Sequence, residues 1–151
     1  MGKELKTYFD FAEDDYEYLV SDYADGRVAN YMGSGSQNTC ERYLKYIVEE
    51  QFHPESQNEV SEKQDLLRTH SLRRLMKFLQ EKGITKFSRQ ESVTVSAIDG
   101  FYFTTGYPGE ESFSVDKLDI DNCMEALEIC RTKVLAVRGD VTASRIFNKP
   151  R

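Results

Sequence analysis

The stretch Ser36–Gln51, SQNTCERYLKYIVEEQ, places Cys40, Tyr43, Leu44, Ile47 and Val48 at steps of three and four. That period lines them along one side of an α-helix and leaves Glu41, Arg42, Lys45 and Glu49 on the other. A helix with a single apolar face has to bury it against neighbours, so the rest of the chain has to supply its partners. Ser36 is expected to cap the helix with its hydroxyl, and Gly33 and Gly35 to form the turn that leads in.

Upstream, Ala12, Tyr16, Leu19 and Tyr23 form one stripe between about Leu5 and Ala24, widened by Phe9 and Val20. The carboxylates Asp10, Glu13, Asp14 and Glu17 lie near the start of that segment, where they oppose the positive end of the helix dipole. Asp25-Gly26 supplies its stop. Downstream, FHPESQNEVSEKQD is polar, contains Pro54 and has only a weak apolar period, so it reads as a connection with room for one turn of helix. Thr69 then precedes a short helix with Leu72, Leu75, Met76 and Leu79 on its buried stripe and Gly83 at its stop. Arg73, Arg74 and Lys77 fall off that stripe and face water or a partner.

Between Ser88 and Thr105 the local signals divide. Ser88 with Glu91 three residues on is a capping box and favours a helix. VTVSAIDGFYFTT, with β-branched and aromatic residues around Asp99-Gly100, favours a hairpin. A lone two-stranded hairpin is marginal among helices, which tips the reading towards helix. Ser114 is expected to cap the last long helix, whose buried side carries Ile120, Cys123, Met124, Leu127, Cys130, Val134 and Val137, with Gly139 at its end. The final DVTASRIFNKPR either docks through Ile146 and Phe147 or stays loose. The pattern predicts an all-α fold, an antiparallel up-and-down bundle of four to five helices. It forms a single domain over 1–151, with its core at about 5–138 and a basic tail at 139–151.

Composition agrees with that reading. At 39% hydrophobic and 30% charged residues the chain is that of a soluble globular protein, not a disordered one. No apolar run approaches the roughly 18 residues that a membrane span requires. The acidic N-terminus is unlike a signal or transit peptide, and three scattered cysteines suit a reducing compartment, so a cytoplasmic location is expected. Charge is segregated. Residues 1–26 hold eight acidic and two basic residues, 66–89 hold seven basic and one acidic, and 131–151 hold six basic and one acidic. Such segregation suits either an acidic partner or complementarity between neighbouring helices.

The order of these motifs resembles the HEPN family of small helical bundles. Gln37, Glu41, Arg42, Leu44 and Lys45 are similar to its second helix, where a glutamine leads into a glutamate, a basic residue, an aliphatic and a lysine. Thr69-His70-Ser71-Leu72 with Leu75 is similar to its histidine-led entry into the third. Ile98-Asp99, Tyr102 and Tyr107-Pro108-Gly109 resemble a segment that in the family ends in arginine, tyrosine and proline; here Gly106 stands in the arginine's place. The resemblance covers about Tyr8 to Arg138 and favours a helix from Ser88 onward. It also implies partners: a second copy of the chain, a nucleotidyltransferase or an antitoxin-like protein, and a nucleotide or RNA.

Many members of that family are ribonucleases that use an arginine followed four to six residues later by a histidine. The imidazole exchanges protons near neutral pH while the guanidinium holds phosphate. This chain lacks the pair: the windows after Arg131 and Arg138 contain no histidine, and its two histidines are His53 and His70. No catalytic residue, metal ligand or cofactor is therefore assigned. The candidate binding residues are His70, Arg73, Arg74, Lys77, Tyr107, Arg131 and Arg138, with Arg68 beside them, as a basic surface for nucleotide or RNA. The competing reading sets that surface against the acidic first helix or against water. Gly33-Ser34-Gly35-Ser36 lacks the lysine and preceding strand of a P-loop and reads as loop plus cap. The leading expectation is a non-catalytic module acting by association; the alternative is a ribonuclease or nucleotide-processing enzyme with displaced catalytic residues.

Overall fold

A computed structural model describes residues 4–109 and 114–139. The described residues form seven helical segments: α1 (Tyr8–Ala24), α2 (Asn30–Gln51), α3 (Gln57–Leu67), α4 (Leu72–Glu81), α5 (Arg89–Ser96), α6 (Phe101–Thr104) and α7 (Lys117–Arg138). The fold is all-α, as the apolar periods predict. The number of segments is higher than four or five for two reasons. The polar connection after Gln51 is helical as α3, capped by the Ser56 hydroxyl at the Glu59 N–H, and buries Leu66. The ambiguous Ser88–Thr105 stretch is split by Gly100, at φ +99°, into α5 and the short α6.

Side-chain caps start α1, α3, α4, α5 and α7. Thr7 with Asp10, Ser88 with Glu91 and Asp116 with Asp119 form reciprocal capping boxes. Each cap side chain contributes about 1 kcal/mol. Three caps differ from expectation: Ser71 rather than Thr69 accepts from the Arg74 N–H to open α4, Asp116 rather than Ser114 opens α7, and Ser36 lies inside α2, which Ala29 precedes. Gly139, at φ +79°, ends α7 as expected.

The largest departure is at the start of α2, which begins at Asn30, so Gly33, Gly35 and Ser36 lie inside the helix and not in a turn before it. A glycine in a helix costs about 1 kcal/mol, and here close packing offsets it. A Cβ on Gly33 would lie 2.7 Å from the Thr105 hydroxyl and 3.2 Å from Val115 Cγ1. The Asn30 side chain accepts from the Val115 N–H at 2.8 Å, and Met32 is fully buried. Ser36 is buried beside the Cys123 thiol. The glycines thus serve helix approach, and no loop is left there to hold a phosphate.

α2 packs against α1, α3, α4, α6 and α7. Contacts along its length give the directions: Ser36 meets Cys123, Cys40 meets Cys130 and Tyr46 meets Arg138, so α2 and α7 run parallel. Phe9 lies against Tyr46, and Leu19 near Gly35, so α1 runs antiparallel to both. α4 also runs with α2, since His70 meets Glu41 and Phe78 meets Phe52, so the expected up-and-down alternation is kept by the inserted α3. One core unites the described residues, with Tyr16, Tyr43, Leu44, Ile47, Leu72, Leu75, Ile98, Ile120 and Leu127 fully buried. Each such side chain contributes about 1.5–3 kcal/mol. Cys40, Cys123 and Cys130 are free thiols inside it. Burial pushes the Cys123 thiol up to about 12 and raises that of Cys40 as well. They are core residues and weak nucleophiles. No described helix is long and apolar enough to cross a membrane. Ile146 and Phe147 lie outside the described residues.

Candidate functional site

Gln37, Glu41 and Lys45 recur every four residues on α2 and so share one face of it. The amphipathic pattern puts Glu41 and Lys45 on the wet side, yet both are buried, at 2% and 7% exposure, and Gln37 is fully buried. A second polar stripe on a helix already buried along its apolar side needs partners of its own. They come from the approach to α4 and from α6.

Gln37 is the centre of that meeting. Its amide nitrogen donates to the His70 carbonyl at 2.6 Å and to the Glu41 carboxylate at 3.1 Å, and its amide oxygen accepts from the Tyr102 N–H at 2.8 Å. Glu41 accepts further from Lys45 Nζ at 3.5 Å and contacts His70 Nδ1 at 3.2 Å. A carboxylate at Nδ1 favours the proton there and leaves Nε2 as the lone-pair nitrogen. The His70 ring lies parallel to Tyr102, with centroids 4.4 Å apart, and meets Phe103 edge-on at 6.0 Å. Tyr102 and Tyr107 share a hydrogen bond between their hydroxyls at 3.1 Å, which, with the charge each places near the other, raises the Tyr102 phenol. The His70 side chain keeps 43% of its surface exposed, so the imidazole sits at the rim with its acidic partner behind it.

Asp99 fixes the same corner. Its carboxylate accepts from the backbone N–H of Leu72 at 2.8 Å and of Arg73 at 3.2 Å, and from the Ser71 hydroxyl at 3.3 Å. A carboxylate from 27 residues away thereby caps α4 and offsets its dipole. Asp99, half of the pair that reads as a hairpin turn, is a long-range helix cap, and Gly100 beside it opens α6. Gly106 lies beside this corner, where a Cβ would sit 2.6 Å from the Tyr102 carbonyl and 3.1 Å from Ser34 Cβ. An arginine there would require the backbone to move.

The candidate binding residues divide into two groups. His70, Arg73, Arg74, Lys77 and Tyr107 are exposed on α4 and around α6, with Arg68 exposed just before them. Lys77 lies 3.9 Å from Glu81. Arg131 and Arg138 are elsewhere, against α1. Arg131 Nε and Nη2 donate to the two Glu13 oxygens at 2.8 and 3.2 Å, and its guanidinium lies 4.6 Å from the Tyr16 ring. Tyr43 also donates to Glu13, at 2.7 Å, and Tyr16 donates to Glu128, at 2.9 Å. Burial opposes the Arg131 charge, but Glu13 and the two phenols outweigh it and raise its pKa. Burial, reinforced by the neighbouring carboxylates, raises both phenols. Arg138 lies 4.0 Å over Phe9 and donates to the Tyr46 hydroxyl at 3.2 Å. The acidic first helix is therefore met by Arg131 and by Arg42, which pairs with Asp15, rather than by the basic face of α4.

Glu41, Gln37, Lys45, Asp99 and Tyr102 belong to the site and were not assigned to it from sequence. Their available signal is the four-residue spacing of three polar residues on one helix, which a solvated face produces equally well. His53 is exposed next to Pro54. Among the described residues no group of three His, Cys, Asp or Glu side chains is arranged to hold a metal ion.

What the corner can do chemically follows from its parts. It offers one imidazole held by a buried carboxylate, with the aromatic faces of Tyr102 and Phe103 beside it. A family model described as the HEPN domain matches residues 5–137. No curated protein and no solved structure matches the chain.

Proposed function

The chain belongs to the HEPN family, and from that premise we propose that it is a non-catalytic module acting by association, first of all as a homodimer. The observation that supports this reading is the state of Arg131. Its guanidinium is 93% buried as a side chain, bonded twice to Glu13 and covered by Tyr16, while the His70 imidazole belongs to the α4 side of α2. Charge stabilisation of a phosphate by that arginine would first require breaking its two bonds to Glu13 and uncovering it from Tyr16. A nucleotidyltransferase or an antitoxin-like protein is the further partner class. The His70, Tyr102 and Tyr107 rings, with Arg73, Arg74 and Lys77, form the face proposed for a nucleotide or RNA, by stacking and phosphate contact. Arg131 and Arg138 are left out of that face. Light scattering is expected to give a mass of two chains, and a strictly monomeric protein at high concentration would overturn the homodimer.

One observation favours the alternative, a nucleotide- or RNA-processing enzyme with displaced catalytic groups. The His70 Nδ1 contact to the buried Glu41 is the orientation that a general base requires. Incubation with a mixed RNA pool separates the two. Intact RNA is expected; cleavage that disappears in His70→Ala would replace the first reading with the second.

A further inference from the structure

α7 ends beside a groove on the far side of the bundle from Gly106. Arg138, its last residue, lies over Phe9 and bonds to Tyr46, and Tyr46 is also a wall of a groove of about 490 Å³ between the start of α1 and the end of α2. Tyr8 and Phe11 supply apolar surface, with Phe11 46% exposed, and Glu49 and Glu50 supply two exposed carboxylates. Among the described lining residues Lys6 is the cation, its ammonium paired with Glu4 at 3.2 Å, and Arg138 meets the Tyr46 wall. The groove is thus acidic and aromatic.

We propose that this groove is the docking surface for the chain's own segment Arg145–Lys149, with Ile146 and Phe147 against Tyr8, Phe11 and Tyr46, and Arg145 and Lys149 facing Glu49 and Glu50. Three observations select that occupant. Residues 140–151 carry Arg145, Lys149 and Arg151 against the single carboxylate Asp140, opposite in sign to the groove. Ile146 and Phe147 are the large apolar residues of that stretch. Phe147 is eight residues beyond Gly139, a reach of up to roughly 26 Å in extended chain, and the exit point already touches the groove wall. A tether this short holds its segment at an effective concentration in the millimolar range, so modest contacts suffice. The groove lies at the Gln51 end of α2, whereas Glu41 and its partner His70 lie at the helix middle, so the groove is separate from the face proposed for nucleotide or RNA.

The chain contains no tryptophan, so Phe147→Trp in the full-length chain gives a single fluorophore at the anchor. The expected emission is blue-shifted, several-fold less quenched by iodide than a free tryptophan analogue, and unchanged over a roughly hundred-fold dilution. Adding Glu49→Lys and Glu50→Lys should return it to the emission of tryptophan in water. Water-like emission from the single variant would overturn the proposal. So would a blue shift that fades on dilution, which places the segment on another copy, or one indifferent to the two lysines. A second measurement avoids the new side chain. Amide exchange over Tyr8–Phe11 should be several-fold faster in Ile146→Ser/Phe147→Ser than in the unaltered chain, and equal rates would contradict docking.

Discussion

Glu13 on α1 and Glu41 on α2 each gather a cation and an aromatic ring, yet the two clusters they build behave differently. Around Glu13 the guanidinium of Arg131 is enclosed by a carboxylate and by Tyr16, and Tyr43 donates to the same carboxylate from α2. Around Glu41 the cation Lys45 is buried, but the imidazole of His70 reaches the rim, backed by Tyr102. The first cluster joins α1, α2 and α7. The second joins α2 to the α4 entry and to α6. The difference teaches that an ionisable side chain is available for function according to which of its neighbours closes over it, whatever its distance from α2.

Breaking the enclosed cluster should have the largest effect. Glu13→Ala strands the Arg131 charge and the Tyr43 hydroxyl, and should lower stability by about 3 kcal/mol, with a melting temperature lower by about 10 °C. A loss below about 1 kcal/mol in urea titration would mean that water reaches this cluster and that the two are alike. Gln37→Leu comes next. It removes the partners of the His70 carbonyl and the Tyr102 N–H while keeping bulk, and should cost about 2 kcal/mol with an unchanged denaturant slope.

A carboxylate outside both clusters sharpens the comparison through pH. Burial pushes Glu91 upward, but its bonds to the Ser88 N–H and to Lys133 outweigh this and leave its pKa lowered. The folded chain therefore binds this proton less readily than the unfolded one. Its contribution is complete above the unfolded value of about 4.3 and is lost as pH falls through the lower folded value. Glu91→Gln should accordingly flatten the fall in stability between about pH 5 and pH 3, followed by thermal melts; an unaltered slope would place the acid sensitivity elsewhere. The smallest effect is expected of His70→Ala. Its ring is 43% exposed and Glu41 keeps Lys45 and Gln37, so the loss should stay under about 1 kcal/mol. A larger loss would make His70 a structural residue like Arg131.

Much of the fold was legible because apolar period reports burial directly. The stripes of α1, α4 and α7 are where the steps of three and four put them, and the Ser88 capping box outweighed the β-rich residues that follow it. α3 was missed because a single buried residue, Leu66, holds its face down. The start of α2 was misplaced because Gly33 and Gly35 carry turn propensity, while Val115 and Thr105, distant in sequence, make a helix there worth its cost. The candidate site was legible in half. His70, Arg73, Arg74, Lys77 and Tyr107 are exposed on α4 and around α6, but Glu41 and Lys45, read as a solvated face, are buried, and Arg131 and Arg138 lie against α1 rather than beside α4.

By itself the sequence determined the apolar stripes that α1, α4 and α7 bury, and that no histidine follows Arg131 or Arg138 within four to six residues, since these depend only on residue order and short-range geometry. Tertiary structure alone decided which charges survive at the surface. Whether Arg131 meets a ligand or Glu13, and whether Asp99 turns a hairpin or caps α4, depends on contacts across 118 and 27 residues. Such pairings are set by how the helices pack, because a buried charge takes whichever opposite charge that packing brings within a few ångströms.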